Sequence, residues 1–358
     1  LDYHFWGLNV VGYHLTNIII HTIVVILVFV FVRKVTLLSG ESFKNSTVLS
    51  LVAAAIFALH PIQTQAVSYI SQRAESLSAL FYLGSLMIFM QSFEAKEIKL
   101  KIALSCGGVV LFGLSFGSKA SAISLPAIVL LYHYFSAETR ASRKNLWILG
   151  FLLIPSAIMT FILIKSFGES QWIGYSTAGM KPFAYFFSQI RALLTYVRLI
   201  LLPINQNLDY DYPIYYSFLN PQVFLSSLLL LFILGVAVYL LYRSRLGIHD
   251  AGCMMRTLHP APHFRLIAFG ILWFFIVILP SSSFVPQLDV FFEHRTYLAS
   301  LGIIIAFSAA LFYLFAHTPS RFSALLVICS TALMIVALSI ATFKRNVVWR
   351  DNLTLWKD

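Results

Sequence analysis

Apolar residues fall along this chain in long runs rather than in strand-length pieces. Ten runs stand out: Val10–Val32, Thr47–Leu59, Ser76–Gln91, Ile102–Phe116, Ala120–Phe135, Leu146–Ile164, Gln222–Tyr242, Leu266–Leu279, Leu298–Phe315 and Phe322–Phe343. A helix that crosses a hydrocarbon core of roughly 30 Å needs about 20 apolar residues, and fewer when it is buried in a bundle. The pattern therefore predicts an all-α, polytopic transmembrane helical bundle with about ten visible spans. One connection, 165–221, is too long for a turn. Within it Pro182–Leu202 is amphipathic, with Arg191 and Arg198 seven residues apart and hence on one helical face. Such a helix is expected to lie in the membrane interface. The polar, aromatic run PINQNLDYDYPIYYS (Pro203–Ser217) follows it.

Composition supports a membrane class. The chain of 358 residues is 59% hydrophobic and 11% charged, with a mean hydropathy of +0.84. A soluble chain, at about 25% charged residues, covers its core in a way this one cannot. A soluble enzyme, a disordered chain and a disulfide scaffold are excluded. The net charge of +11 is no nucleic-acid signal, because the basic residues occupy the connections between runs. More than half of the 25 Lys and Arg fall in one alternating set of loops: Arg33, Lys34 and Lys44; Lys96, Lys99 and Lys101; Arg140, Arg143 and Lys144; Arg243, Arg245, Arg256 and Arg265; and Arg321. The positive-inside rule makes that set cytoplasmic and puts both chain ends outside. Cys106, Cys253 and Cys329 form neither a CxxC nor a zinc spacing. The cytoplasmic His249, Asp250, Cys253, His259 and His263 read as a solvated loop rather than a metal site.

Ionisable and polar groups at membrane depth are the candidates for function. His14, Asn17 and His21 share a stripe of the first run, fit either for interhelical hydrogen bonding or for lining a cavity. His60-Pro61 breaks a helix and opens a polar elbow containing Gln63, Gln65, Arg73 and Glu75, in which Arg73 and Glu75 could pair with each other; the elbow is either structural or one wall of a site. Ser118-Lys119 makes a tight outer turn with no acid beside Lys119, which is either a snorkelling lysine or a cation for a phosphate. The last outer elbow, Leu288–Tyr297, carries Asp289, Glu293, His294 and Arg295 between two apolar runs.

Five stretches in order carry a family resemblance: GLNVVGYHLTNIIIHTI (Gly7–Ile23), IFALHPIQTQAVSYISQRAESLSALFYL (Ile56–Leu83), YVRLILLPINQNLDYDYP (Tyr196–Pro213), FFEHRTYLASLG (Phe291–Gly302) and RNVVWRDNLTLWKD (Arg345–Asp358). Together they resemble the membrane part of the tetratricopeptide-repeat-containing O-mannosyltransferase-like proteins, and the LDYDYP run is most similar to bacterial members. The resemblance implies a GT-C glycosyltransferase fold over residues 1–343, incomplete at its N-terminus. Residues 344–358 would be a junction to a helical repeat domain that binds the protein acceptor. The chain opens on Leu1 and stops at Asp358 in mid-pattern, as expected of an internal fragment. The family's acidic pair, a general base or metal ligand, is expected upstream of Leu1. Relatives often carry a glutamate after the outer-turn lysine, where this chain has Ala120.

The implied chemistry is transfer of a sugar, with mannose the expectation, from a polyprenyl-phosphate donor to a protein Ser/Thr hydroxyl on the outer face, with inversion. Phosphate binding falls to Lys119, Arg191, Arg198 and Arg295, since guanidinium forks suit phosphate. Within the chain, base candidates are Glu293, helped by His294, then Asp209 and Asp211. His14, His21, His60, Gln63, Arg73 and Glu75 would line the cavity, and the metal requirement is left open. The location suggested is a bacterial inner membrane, or the endoplasmic reticulum of a eukaryote. Two rival readings remain: a non-catalytic membrane anchor for a repeat scaffold, and a lipid or solute transporter.

Overall fold

The computed structural model describes residues 2–136, 146–167, 180–249, 262–287, 289–316 and 321–349. Eleven helices organise it: α1 (Val10–Leu38), α2 (Phe43–Leu59), α3 (Arg73–Glu94), α4 (Ile98–Ser118), α5 (Leu125–Ser136), α6 (Gly150–Phe167), α7 (Pro182–Leu201), α8 (Pro221–His249), α9 (Pro262–Ile278), α10 (Ser300–Ala316) and α11 (Arg321–Val348). Every apolar run of the sequence lies, to within two residues at its ends, on one of them or on the short 3-10 turns that lead into α5 and α6. Five helices among the described residues are long and apolar enough to cross a membrane: Val10–Leu38, Ile70–Glu94, Ile98–Ser118, Pro221–Ser244 and Ile328–Val348. A bent pair, Phe43–Leu59 with Pro61–Val67, makes a sixth candidate, and four apolar helices are shorter. The sequence pattern predicts about ten spans; among the described residues five helices, or six with the bent pair, have spanning length, and the other four apolar helices fall short of it.

Local sequence explains where these helices begin and break. Asn9 caps α1 by accepting from the Val11 amide, and Ser42 caps α2 by accepting from the Asn45 amide. Gly40, at φ +99°, makes the turn between them, a conformation that a Cβ would strain. Pro61 ends α2 because it offers no amide and its ring blocks the helical path. The chain bends there by 52°.

Small and hydroxylated residues set the packing between helices. The Ser78 hydroxyl donates to the Ser115 carbonyl, Ser85 to the Gly108 carbonyl (2.7 Å) and Ser92 to the Lys101 carbonyl, so a seven-residue serine ladder joins α3 to α4. Without water to compete, interhelical bonds of this kind and close backbone approach hold a bundle together. Gly270 of α9 and Gly302 of α10 meet backbone to backbone: a Cβ built on either would lie 2.3 Å from the other's carbonyl oxygen. Around this contact Phe31, Phe269, Trp273 and Phe135 form an aromatic core. The two ends of the bundle differ. One carries Lys34–Glu94 (2.9 Å), Glu41–His263 (3.1 Å) and Arg265 donating to the Phe135 carbonyl. The elbows described next gather at the other.

Candidate functional site

Five separate stretches of chain converge at that second end. The 60–72 elbow is fixed first. His60 accepts the Ile62 amide on Nδ1 (3.1 Å), so its Nε2 carries the proton donated to the Ile200 carbonyl at the end of α7 (2.9 Å). Gln63 donates to the Ser300 hydroxyl, and Gln65 donates to the Leu208 carbonyl. The Gln65 carbonyl oxygen accepts the His294 amide at 2.7 Å and faces its Nδ1 at 3.2 Å. An amide oxygen can only accept, which leaves the proton of neutral His294 on Nδ1 and turns Nε2 toward Glu75, 3.9 Å away. His60, Gln63 and Gln65 are all buried.

The expected Arg73–Glu75 pair does not form. Arg73 donates to the Asn17 side chain (2.5 Å) and to the Tyr13 carbonyl, while Asn17 donates to the Val67 carbonyl. Glu75, two residues on, lies on another face of the helix and is ion-paired with Lys119 from the α4–α5 turn. Lys119 is therefore neutralised across the helix pair, although nothing acidic neighbours it in sequence. His21 sits between the Tyr297 hydroxyl (2.7 Å) and the Ala58 carbonyl (3.3 Å). His14 is half-buried and shows no hydrogen bond among the described residues.

Glu293 and His294 diverge rather than act together. Glu293 accepts from the Tyr210 hydroxyl (2.5 Å), the Gln206 side chain (2.7 Å) and the Asn207 amide (3.2 Å), and is 1% exposed. Burial pushes its carboxyl above the usual range, against the pull of Tyr210, the nearby Arg345 and the other donors. His294 is held well below the usual imidazole range by burial, with Lys119 and Arg295 adding to it. The 203–213 loop that wraps Glu293 turns at Asn205, whose φ of +55° is one that asparagine tolerates. Phe291 stacks between Tyr196 (4.3 Å) and Tyr212 (5.0 Å) and meets Tyr210 edge-on, which pins the loop to α7.

The remaining candidates lie around this core. Arg295 is turned inward, donating to the Asp289 (2.8 Å) and Val290 (3.1 Å) carbonyls. Asp209 and Asp211 are exposed. Asp289 is raised by partial burial and by the charge of Asp209, with Arg295 opposing, so the two aspartates and Arg295 share one neighbourhood. Arg191 and Arg198 both act on Tyr212, as their common face requires, and Arg198 is exposed while donating to the Ile204 carbonyl. Sequence reasoning gave no role to Tyr210 or to Arg345, which donates to the Gln206 carbonyl from the end of α11 (3.1 Å). Both lie in stretches that carry the resemblance, which is the signal the sequence offers; the burial of Arg345 is visible only in the structure. An apolar groove lined by Ile200, Leu201, Ile304, Met334 and Leu338 opens beside His60. Among the described residues no group of three or more His, Cys, Asp or Glu is placed to hold a metal ion. Asp250, Cys253 and His259 lie outside the described residues, while His263 is buried against Glu41 rather than solvated in a loop.

Comparison with known proteins points one way. The chain is similar to protein O-mannosyl-transferase F38B6.6 of Caenorhabditis elegans, 24% identical over 218 residues, 59% of this chain and 29% of that protein. It is similar to human protein O-mannosyl-transferase TMTC3, 32% identical over 140 residues (38% and 14% of the two chains). It is also similar to Xenopus laevis protein O-mannosyl-transferase tmtc2, 41% identical over 100 residues (28% and 11%). These relatives are named protein O-mannosyl-transferases. The matches span only 11% to 29% of the length of these three relatives. No family model matches the chain, and no solved structure matches it.

Proposed function

We propose that this chain is the membrane part of a glycosyltransferase that moves mannose from a polyprenyl-phosphate donor to a Ser/Thr hydroxyl of a protein, at the end of the bundle where the elbows converge. That convergence carries the reading: five stretches far apart in sequence bring five arginines, a lysine and five acids to one end of an apolar bundle, and the named relatives supply the reaction class. In the reaction the acceptor oxygen bonds to the anomeric carbon as the bond to the phosphate oxygen breaks. The electron pair leaves with the phosphate and the hydroxyl proton goes to a carboxylate. Arg198 and Arg191, on the outward face of α7, receive the lipid phosphate, and Arg295 and Lys119 stand behind them. The apolar groove beside Ile200 takes the start of the lipid tail. Glu293 holds the 203–213 loop, which leaves exposed Asp209 as the acid better placed to reach an acceptor. The family's acidic pair would lie upstream, and the acceptor would be bound by repeats beyond residue 358. The short apolar helices complete a GT-C-like set of ten spans, with α7 in the interface, in a bacterial inner membrane or the endoplasmic reticulum.

The anchor reading has two observations in its favour: Lys119 is already neutralised by Glu75, and Glu293 is already saturated by donors. A transfer assay on the full-length protein, with polyprenyl-phosphate mannose and an acceptor protein, separates the two. Arg198→Ala is expected to lower turnover about tenfold or more with the folded yield unchanged, the loss that follows from removing about 1.4 kcal/mol of transition-state charge stabilisation. Wild-type turnover in that variant removes Arg198 from the site. No transfer by wild type leaves the anchor.

A further inference from the structure

Apart from these elbows, a space lies between α4 and α6 with its surrounding residues on the lipid-facing surface. The space between them is an open cavity of about 470 Å³ lined by Cys106, Val109, Trp147, Phe151, Ile154 and Pro155, with Gly150 among the lining residues. That volume falls in the range of about 300–1,000 Å³ typical of pockets that enclose a small molecule. Its walls belong to two apolar helices whose neighbouring residues, Ile102, Val110, Ile154 and Ile158, are exposed on the surface of the bundle. At this depth in a membrane the surrounding medium is hydrocarbon, and a dry, apolar recess is filled by it.

Charge narrows the occupant. On α4 the stripe Lys99, Ile102, Cys106, Val109 follows one helical face, continuing to Gly113, where a Cβ would meet Met159 of α6 at 3.7 Å. Lys99 is exposed two turns below Cys106, about 10 Å along the axis. It belongs to a segment, AKEIKLK, with three lysines and one glutamate. Trp147, which lines the cavity and is exposed, is an amphipathic ring of the kind that sits at headgroup level. A cation at the headgroup and an apolar slot one acyl-chain segment deeper match an anionic lipid, not a zwitterionic one.

We propose that the α4–α6 cavity is a binding site for an anionic glycerophospholipid of the leaflet at the Lys34–Glu94 end, with an acyl chain in the cavity and the headgroup phosphate at Lys99. The site is separate from the sugar-transfer reading and stands without it. Gly150 offers a clean way to block it, because a Cβ there meets nothing within 4 Å and a larger side chain enters the cavity without a clash.

The test uses the purified protein in nanodiscs containing trace phosphatidylglycerol or phosphatidylcholine with a diazirine midway along one acyl chain. Adducts are mapped by peptide mass spectrometry. Phosphatidylglycerol is expected to label the Ile102–Val110 and Trp147–Pro155 peptides at least fivefold more than phosphatidylcholine does, with α8, another lipid-facing apolar helix, as the internal reference. Lys99→Gln should bring phosphatidylglycerol down to the phosphatidylcholine level. Gly150→Leu should remove labelling of both peptides while leaving α8 labelled. Equal labelling by the two lipids, adducts spread evenly over α4, α6 and α8, or an unaltered Lys99→Gln pattern would each overturn the proposal.

Discussion

A carboxylate taken out of water is stable only where donors replace the hydration it loses. Glu293 shows the balance: three donors from the 203–213 loop meet it, and burial still lifts its ionisation above the usual range. Its protonated form is therefore favoured by folding, and its contribution to stability falls as the pH rises from about 4.5 through the raised value. His294 works on the other side of neutrality. The unfolded imidazole takes a proton near 6.5, whereas the folded one resists it, so the unfolded state binds more protons below that pH and stability is lost on acidification. In a series of melting curves from pH 7.5 to 5, wild type is expected to lose melting temperature faster than His294→Gln, and parallel curves would show that His294 titrates normally. Glu293→Ala leaves the Tyr210, Gln206 and Asn207 donors without their acceptor. Each such loss costs about 1–3 kcal/mol when water cannot reach the group, and partial opening of the loop brings the expected total to about 2 kcal/mol. Thermal unfolding in detergent should show that loss together with new proteolytic cleavage between residues 203 and 213. An unchanged melting temperature with an uncut loop rules out the anchoring role.

Between helices the deciding contacts are small. Gly302→Ala places a methyl 2.3 Å from the Gly270 carbonyl oxygen, and backbone cannot yield as a side-chain tip can, so the expected cost is about 1–3 kcal/mol. Ser85→Ala removes one rung of the α3–α4 ladder, worth about 0.6 kcal/mol for a typical interhelical hydrogen bond in a membrane. Thermal unfolding of the two variants side by side tests the order, and a larger loss for Ser85→Ala would mean that hydroxyls rather than close backbone approach hold this bundle. Helix positions were legible in the sequence because run length alone encodes them. The serine ladder was legible in part, since Ser78, Ser85 and Ser92 recur every seven residues, but Ser115 and Gly108 are their partners only once α3 and α4 are known to be antiparallel neighbours. The candidate site divides in the same way. Its residues could be picked out as ionisable groups at elbows, whereas its pairs could not: Glu75 with Lys119, His60 with Ile200 and Glu293 with Tyr210 are 44, 140 and 83 residues apart. Spacing along one helix reports faces, and it carries no record of which elbow meets which.

At the scale of the whole molecule the polar groups are segregated by end. The lysine-rich loops meet Glu94, Glu41 and His263 at one end, and the elbows with Lys119, Asp209, Glu293 and Arg345 meet at the other. A long apolar α1 separates the two sets, with Asn17 in one and Lys34 in the other, 17 residues and about 25 Å apart along its axis. That separation is close to the thickness of a hydrocarbon core. For a bundle upright in a membrane the two sets face different compartments, and the positive-inside rule predicts the cytoplasm for the denser basic set. The arrangement is tested in a background with Cys106, Cys253 and Cys329 replaced by serine, carrying either Asp209→Cys or Lys96→Cys at an exposed position. In sealed vesicles of known orientation a membrane-impermeant maleimide is expected to reach Lys96→Cys only from the cytoplasmic side and Asp209→Cys only from the opposite one. Labelling of both from the same side would mean that the elbows and the lysine-rich loops share a compartment. If the shared side is the cytoplasmic one, the end of the bundle with the candidate site is not the outer face, and a donor presented there has to be a cytoplasmic one.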